Sequence, residues 1–286
     1  PTNGSYTLDR WKFTLSQASK LTAQQSTTVP AGYKNSLLVT SSSAYTVGAS
    51  EVFQVKQYIE GFNFADMAWG TSSAASISIS FQVRSSLTGT FGGCLRNEAG
   101  DRNYPFSYTI NASNTWETKA ITIAGDTSGT WSTGNSVGVE VVFSLGTGSS
   151  LQGAAGAWTA SAYLAPTGAT SVVGTSGATF YITGVQLEKG STASAYDYRP
   201  YGTELALCQR YYWTLNGRYV YLASYGAASI YITNVYFPVS MRATPTITSN
   251  LSGATVPADS VSTLGFGIYN TTSGSNFYQA TASAEL

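Results

Sequence analysis

The acidic pair best placed for chemistry is Glu98 and Asp101, three residues apart in the segment RNEAGDR (96–102). Two carboxyl groups flanking a glycosidic oxygen can hydrolyse that bond, one acting as acid and the other as base or nucleophile. Arg96 and Arg102 stand beside this pair, which points instead to surface ion pairing. Asp126, in Gly125-Asp126-Thr127-Ser128-Gly129, could offer an oxygen to calcium. A calcium loop needs several acids or carbonyls at set spacing, and with no second acid nearby the segment reads as a turn. Cys94 and Cys208 have no metal-ligand spacing; they read most simply as buried thiols, a single bridge being the other reading. The chain has no histidine. That absence removes Ser-His-Asp and Cys-His catalysis and His-ligated zinc together. The expectation is a protein that is not an enzyme and uses neither cofactor nor metal.

Recognition without catalysis needs only aromatic faces for sugar C–H surfaces and fixed hydrogen-bonding groups beside them. Gln54, Lys56 and Tyr58 share one side of 51–60, and Gln82 and Arg84 one side of 76–84. If these strands lie in one concave sheet, the five make a polar platform with an aromatic. The plain alternative is a solvated face, since any half-buried strand shows one. Among the six tryptophans, Trp69 in FNFADMAWG and Trp158 in a Gly/Ala-rich loop are candidates for exposed contacts. Trp11 belongs to the apolar side of its strand, while Trp116 and Trp131 flank the GDTSG turn and are expected over the sheet ends. The candidate glycan-binding set is therefore Gln54, Lys56, Tyr58, Trp69, Gln82, Arg84 and Trp158.

Strands must position these residues. In 74–84, Ile77, Ile79, Phe81 and Val83 alternate with Ser78, Ser80, Gln82 and Arg84. In 137–145, Val137, Val139, Val141, Phe143 and Leu145 share a face, and Trp11, Phe13 and Leu15 do so near the start. Further strands are predicted at 36–40, 116–123 and 178–187, with Tyr181, Thr183, Val185 and Leu187 on one side of the last. Composition agrees: 39 serines, 37 threonines and 29 glycines, but only 10% charged residues. This is the signature of an all-β chain with many turns. Lys plus Arg and Asp plus Glu number 14 each, so the net charge is zero and nucleic acid is not the expected partner. No apolar run approaches the ~18 residues of a membrane span, and no signal segment opens the chain. It begins at Pro1 rather than Met, which leaves room for an upstream part.

The single helix predicted follows Thr203 as cap, over 204–209, with Leu205, Cys208 and Tyr212 on one face. Arg210 would pair with Glu204 or Glu188, or lie on a plain surface. Beyond the helix, residues 211–286 hold only four charges (Arg218, Arg242, Asp259 and Glu285) but nine tyrosines. Strand-like runs recur there at 218–223, 228–237, 244–249, 264–270 and 275–283. A β unit so short of charge is expected to hide surface against another chain or against the first domain.

The block YITGVQLEKGSTASAYDYRPYGTELALCQRYY (181–212) closely resembles a family of bacteriophage tail-fibre and virion-associated proteins. The resemblance extends back through YTINASNTWETKAITIAGDTSGTW, FQVRSSLTGTFGGCLRN and LDRWKF, and forward to FPVSMRATPTITS and the terminal AEL. Where that family often carries a bulkier acidic-aromatic stretch, this chain has Ala195-Tyr196-Asp197-Tyr198. The resemblance implies a jelly-roll β-sandwich like the carbohydrate-binding modules over residues 1–200. A smaller C-terminal β domain over 201–286 would follow, with the short helix at the junction. It further implies a virion protein made in the bacterial cytoplasm, a homotrimer assembled with other tail proteins, adhering to host surface polysaccharide. Two other readings stand beside it: a purely structural fibre, baseplate or head-decoration protein, and a carbohydrate-binding module of a secreted glycosidase.

Overall fold

The computed structural model describes residues 1–222, 231–250, 254–270 and 274–286. The chain divides into two compact units, Pro1–Asp197 and Tyr198–Leu286.

The first unit is a jelly-roll β-sandwich. Its strands are β1 (Lys12–Leu15), β2 (Leu21–Ser26), β3 (Ser36–Ser41), β4 (Val52–Glu60), β5 (Ile77–Ser85) and β6 (Gly89–Arg96). They continue with β7 (Asn103–Ile110), β8 (Glu117–Ile123), β9 (Val137–Thr147), β10 (Gln152–Gly153), β11 (Ala165–Pro166) and β12 (Thr179–Lys189). One sheet has the order β1-β4-β9-β6-β7 and the other β2-β3-β12-β5-β8, with every pairing antiparallel. Their facing sides make one core. Phe13, Phe53, Phe81, Phe91, Phe106, Phe143 and Phe180 are all fully buried in it. Phe81 of the second sheet meets Phe143 of the first edge to face, with ring centres 5.0 Å apart. Each such side chain stabilises the fold by ~1.5–3 kcal/mol relative to exposure.

Period two accounts for β5 completely: Ile77, Ile79, Phe81 and Val83 are 0–1% exposed. On β12 the alternation is interrupted. Thr183 pairs with Gln82 but Gln186 with Ser80, so two residues of β12 oppose one of β5 in a bulge. The bulge reverses the faces. Phe180 and Ile182 point inward before it, Val185 and Leu187 pack against the core after it, and Tyr181 and Thr183 point outward. The predicted single face of Tyr181, Thr183, Val185 and Leu187 is therefore corrected. Gly184 makes this possible: its φ is +59°, and the Tyr33 ring occupies the space a Cβ would take.

The strands β2, β6 and β7 carry weaker signals, β6 through its glycines and β7 through Pro105. Gly92 is needed where it is, because a side chain there would collide with Pro166 of β11.

The second unit contains α1 (Tyr201–Gln209), β13 (Tyr212–Leu222), β14 (Tyr231–Tyr236), β15 (Thr246–Ser249), β16 (Ala254–Thr255), β17 (Val261–Ser262), β18 (Gly265–Asn270) and β19 (Gly274–Ser283). The predicted run 218–223 ends, and 228–237 begins, in segments outside the described residues. The strands form two small sheets, β13-β19-β15 and β14-β18-β16 with β17 also on β18. Leu215, Phe237, Met241, Phe266 and Ile268 make its core with Ala280, Ala282 and Ala284. The helix begins two residues before the predicted cap: the Pro200 carbonyl accepts from the Thr203 and Glu204 amides, and no side chain caps it. Glu204 accepts from Arg199 at 3.5 Å. None of the helix's residues is fully buried.

Candidate functional site

The sheet order separates the seven predicted residues. Gln54, Lys56 and Tyr58 lie on β4 of the first sheet, whereas Gln82 and Arg84 lie on β5 of the second. Their side chains leave opposite sides of the sandwich, so the shared platform does not form.

The outer face of the first sheet is closed. Gln54, Lys56, Cys94, Asn103, Glu140, Val142 and Ser144 all stand on it and are buried. The segment after β9 supplies a roof: β10 pairs in parallel with β11, and β11 rests on β6, β7 and β9. The Thr159 and Asn103 backbones bond reciprocally at 2.9 Å, and the Thr170 amide donates to the Thr90 carbonyl at 2.7 Å. Lys56 is drawn in by charge. Its ammonium lies 3.1 Å from the Glu140 carboxylate and 4.7 Å from the Tyr58 ring centre. Lys12 sits over the same ring and over that of Tyr6. Tyr58 is thus clamped between two lysines, and Gln54 is 3% exposed. Burial pushes the Cys94 thiol up to about 12, which leaves it un-ionised and inert. Both cysteines are thiols, so the bridged reading is corrected.

The two loop tryptophans belong to an aromatic cluster. Trp69 is 5% exposed. Its ring meets Phe64 at 4.8 Å, Trp131 at 4.7 Å and Trp158 at 5.0 Å, all edge to face. Tyr104 closes the group against Trp158 at 5.1 Å. Each indole N–H has a carbonyl: Ala75 for Trp69, Ser128 for Trp131 and Ala124 for Trp158. Trp69 and Trp158 hold loops together instead of facing a ligand. Beside them Arg102 forks onto the buried Asp126 carboxylate at 2.6 and 2.7 Å. Arg96 faces Glu140 at 3.9 Å, and Asp101 accepts from Asn97. The predicted pairing of Glu98 and Asp101 with Arg96 and Arg102 is therefore corrected, because Arg96 turns to Glu140 of β9 and Arg102 to Asp126 in the loop after β8. Among the described residues no group of three or more His, Cys, Asp or Glu side chains could hold a metal.

The outer face of the second sheet has a different character. Register sets Leu38, Tyr181 and Arg84 side by side across β3, β12 and β5, and Thr183, Gln82 and Thr118 across β12, β5 and β8. The Arg84 guanidinium lies over the Tyr181 ring at 4.8 Å, and its Nε donates to the Asn114 carbonyl at 2.8 Å. Trp116 also meets Tyr181, ring centres 6.0 Å apart and edge to face, and its indole N–H has no acceptor among the described residues. Trp116 therefore packs on this face, at the end of the sheet where β8 begins. Gln82 and Thr118 bond to each other both ways, at 2.8 and 3.1 Å.

Two local structures frame this patch. At one end the segment 190–197 folds back over β12. Gln186 accepts from the Asp197 amide and donates to Ser194, Glu188 accepts from Ser194, and Tyr196 packs on Tyr33. Hydrogen bonds from Ser194 hold the Glu188 carboxyl below its ordinary range. At the other end the turn 111–116 is pinned by Glu117, which accepts from Lys119, from the Asn111 and Ala112 amides and from the Asn111 side chain. Partial burial pushes Glu117 up, but these four donors prevail and hold it at about 2. Between the two frames, Tyr181, Arg84, Gln82, Thr118 and Trp116 stay half-buried or exposed. Such a surface can stack a flat ligand and hydrogen-bond its hydroxyls. Of this patch the sequence reading names Gln82 and Arg84 as candidates but not Tyr181 or Trp116; the bulge hides which way Tyr181 faces.

No protein-family model matches the sequence, and no curated protein does. Solved structures similar to this chain include the enzymatically active domain of tailspike protein 4 from bacteriophage CBA120. That domain is 12% identical, with 66% of this chain and 21% of that one covered and a TM-score of 0.37. This chain thus spans about a fifth of its length. A CBM4 structure is 16% identical over 63% of this chain and 87% of that one, with a TM-score of 0.35. The C-terminal family 22 carbohydrate binding module of a Clostridium thermocellum protein is 14% identical over 68% and 99%, also with a TM-score of 0.35.

Proposed function

We propose that this chain is a non-catalytic adhesin of a phage particle, a tail fibre or receptor-binding component that holds host surface glycans through the outer face of its second sheet. The observation that carries the glycan part is the open patch of Tyr181, Arg84, Gln82, Thr118 and Trp116, on a sandwich whose opposite face is closed. The phage part is supported by the resemblance of residues 181–212 to tail-fibre and virion-associated proteins. Adhesion without bond cleavage fits the carboxylates of the first unit. Asp126 is locked by Arg102, Glu140 by Lys56 and Glu117 by Lys119, which leaves them occupied as structural anchors.

Self-association, as a homotrimer, is the role we assign to the second unit. Among the described residues three of its eight core side chains are alanine, while Tyr201, Leu205, Leu207, Tyr212, Tyr236 and Leu264 are exposed. A small core beside that much bare apolar surface is what an association domain shows before it meets its copies. Three weak sites on one particle would then act at high effective concentration.

The test is saturable binding of the fluorescent chain to candidate host cells, with extracted surface polysaccharide as competitor. Tyr181→Ala combined with Trp116→Ala should abolish binding, and Tyr58→Ala on the closed face should leave it intact. Binding that survives the first variant, or no binding by a folded oligomer to any host offered, would overturn the reading.

A further inference from the structure

The proposed patch carries an unneutralised cation at its centre, and this narrows the ligand. We propose that the glycan taken here is acidic, its anionic oxygens forked by the two Nη groups of Arg84; this rests on the glycan reading of the same face.

Arg84 is held at two points. Its Nε is spent on the Asn114 carbonyl, and its plane lies on the Tyr181 ring. Asn114 is itself fixed: it stands at φ +56°, and its amide donates to the Ser85 carbonyl at 2.6 Å. Both Nη groups donate to nothing among the described residues. Most of the rotamer entropy that a lysine or a loose arginine loses on binding is therefore already spent, and a planar fork remains.

The acids that could neutralise Arg84 are engaged elsewhere. Glu117 and its partner Lys119 pair with Val83 and Phe81, whose side chains enter the core, so both lie on the core side of β8. Glu188 is bonded to Ser194 and pairs with Ser78, six residues along β5 from Arg84, which is ~20 Å away at strand spacing. Asp197 is anchored through its amide at Gln186, in the row of Ser80, four residues from Arg84. A second cation borders the patch. Lys34 follows Tyr33, which packs at the bulge, and precedes Asn35, whose carbonyl accepts from Thr183 at 2.9 Å. A guanidinium fork next to the mutually bonded Gln82 and Thr118 suits a sugar that carries a carboxylate or a phosphate ester among its hydroxyls.

The experiment uses the full chain on an array of uronate-bearing, phosphate-bearing and neutral polysaccharides. Each acidic glycan is also presented after carboxyl reduction or after removal of its phosphate esters. Native acidic glycans should bind about tenfold or more tightly than their neutralised forms, with affinity falling as salt rises. Arg84→Lys keeps the charge and loses the fork; it should weaken acidic binding several-fold more than it weakens binding of the neutralised glycans, with an unchanged melting temperature. Equal binding of native and neutralised forms, or an Arg84→Lys variant indistinguishable from the parent, would overturn the acidic preference while leaving glycan binding in place. Binding of nothing on the array would remove both.

Discussion

The two outer faces of the sandwich begin from the same sequence pattern and end differently. On β4, Gln54, Lys56 and Tyr58 share one side opposite Phe53, Val55 and Ile59, much as Gln82 and Arg84 stand opposite Phe81 and Val83 on β5. The first face acquires strands β10 and β11 as a roof and an internal ion pair, Lys56 with Glu140. The second keeps its polar row in the open, framed only at its ends. Period two thus tells which side chains leave the core. It does not tell what another part of the chain later lays over them. A side chain's use is decided by that second layer: stability on the closed face and, in the proposed reading, recognition on the open one.

That contrast can be broken or sharpened by substitution. The largest effect is expected in the aromatic cluster beneath the closed end, where Trp69→Ala should cost ~3–5 kcal/mol. Chemical denaturation would show it as a lower midpoint. Next, Lys56→Ala leaves Glu140 in a buried site with only the more distant Arg96, at ~3 kcal/mol. On the open face Tyr181→Ala should change the melting temperature little yet weaken glycan binding about tenfold to a hundredfold, since stacked aromatics carry such sites. A Tyr181→Ala chain that melts early and still binds would invert the comparison.

The smallest effect concerns Glu117. Its carboxyl lies at about 2 in the folded chain against 4.5 ordinarily, so its stabilisation is complete above pH 4.5 and is lost as pH falls toward 2. Because Glu117 pins the turn that carries Asn114 and Trp116, binding should weaken over that same interval. With a neutral glycan as ligand, which does not titrate in this range, Glu117→Gln should bind more weakly at neutral pH and lack this acid step, as measured by titration calorimetry across the range.

Much of the sandwich was legible in the chain. Strands such as β5 and β9 announce themselves because alternating Ile, Val and Phe leave no other register that buries them. The faces of β12 were not legible beyond Thr183, since a bulge is set by its pairing with β5 and by the Tyr33 ring over Gly184, contacts distant in sequence. Trp69 and Trp158 misled for a related reason. Loop tryptophans look exposed until three loops converge and each indole finds a backbone carbonyl. The outward direction of Gln82 and Arg84 was legible because no bulge interrupts β5, and Tyr181 joins them through register alone.

One edge of the second sheet bears on how the chain behaves when crowded. β8 is the outermost strand there, and it turns Glu117 and Lys119 toward the core side, where a joining strand would have to bury them. Molecules tethered side by side meet at local concentrations far above any solution, and a bare strand edge would then stitch neighbouring sandwiches into a continuous sheet. Two inward charges forbid that junction. If the chain is the adhesin proposed above, its heads can be packed densely and still remain separate, each keeping its own grip on the cell.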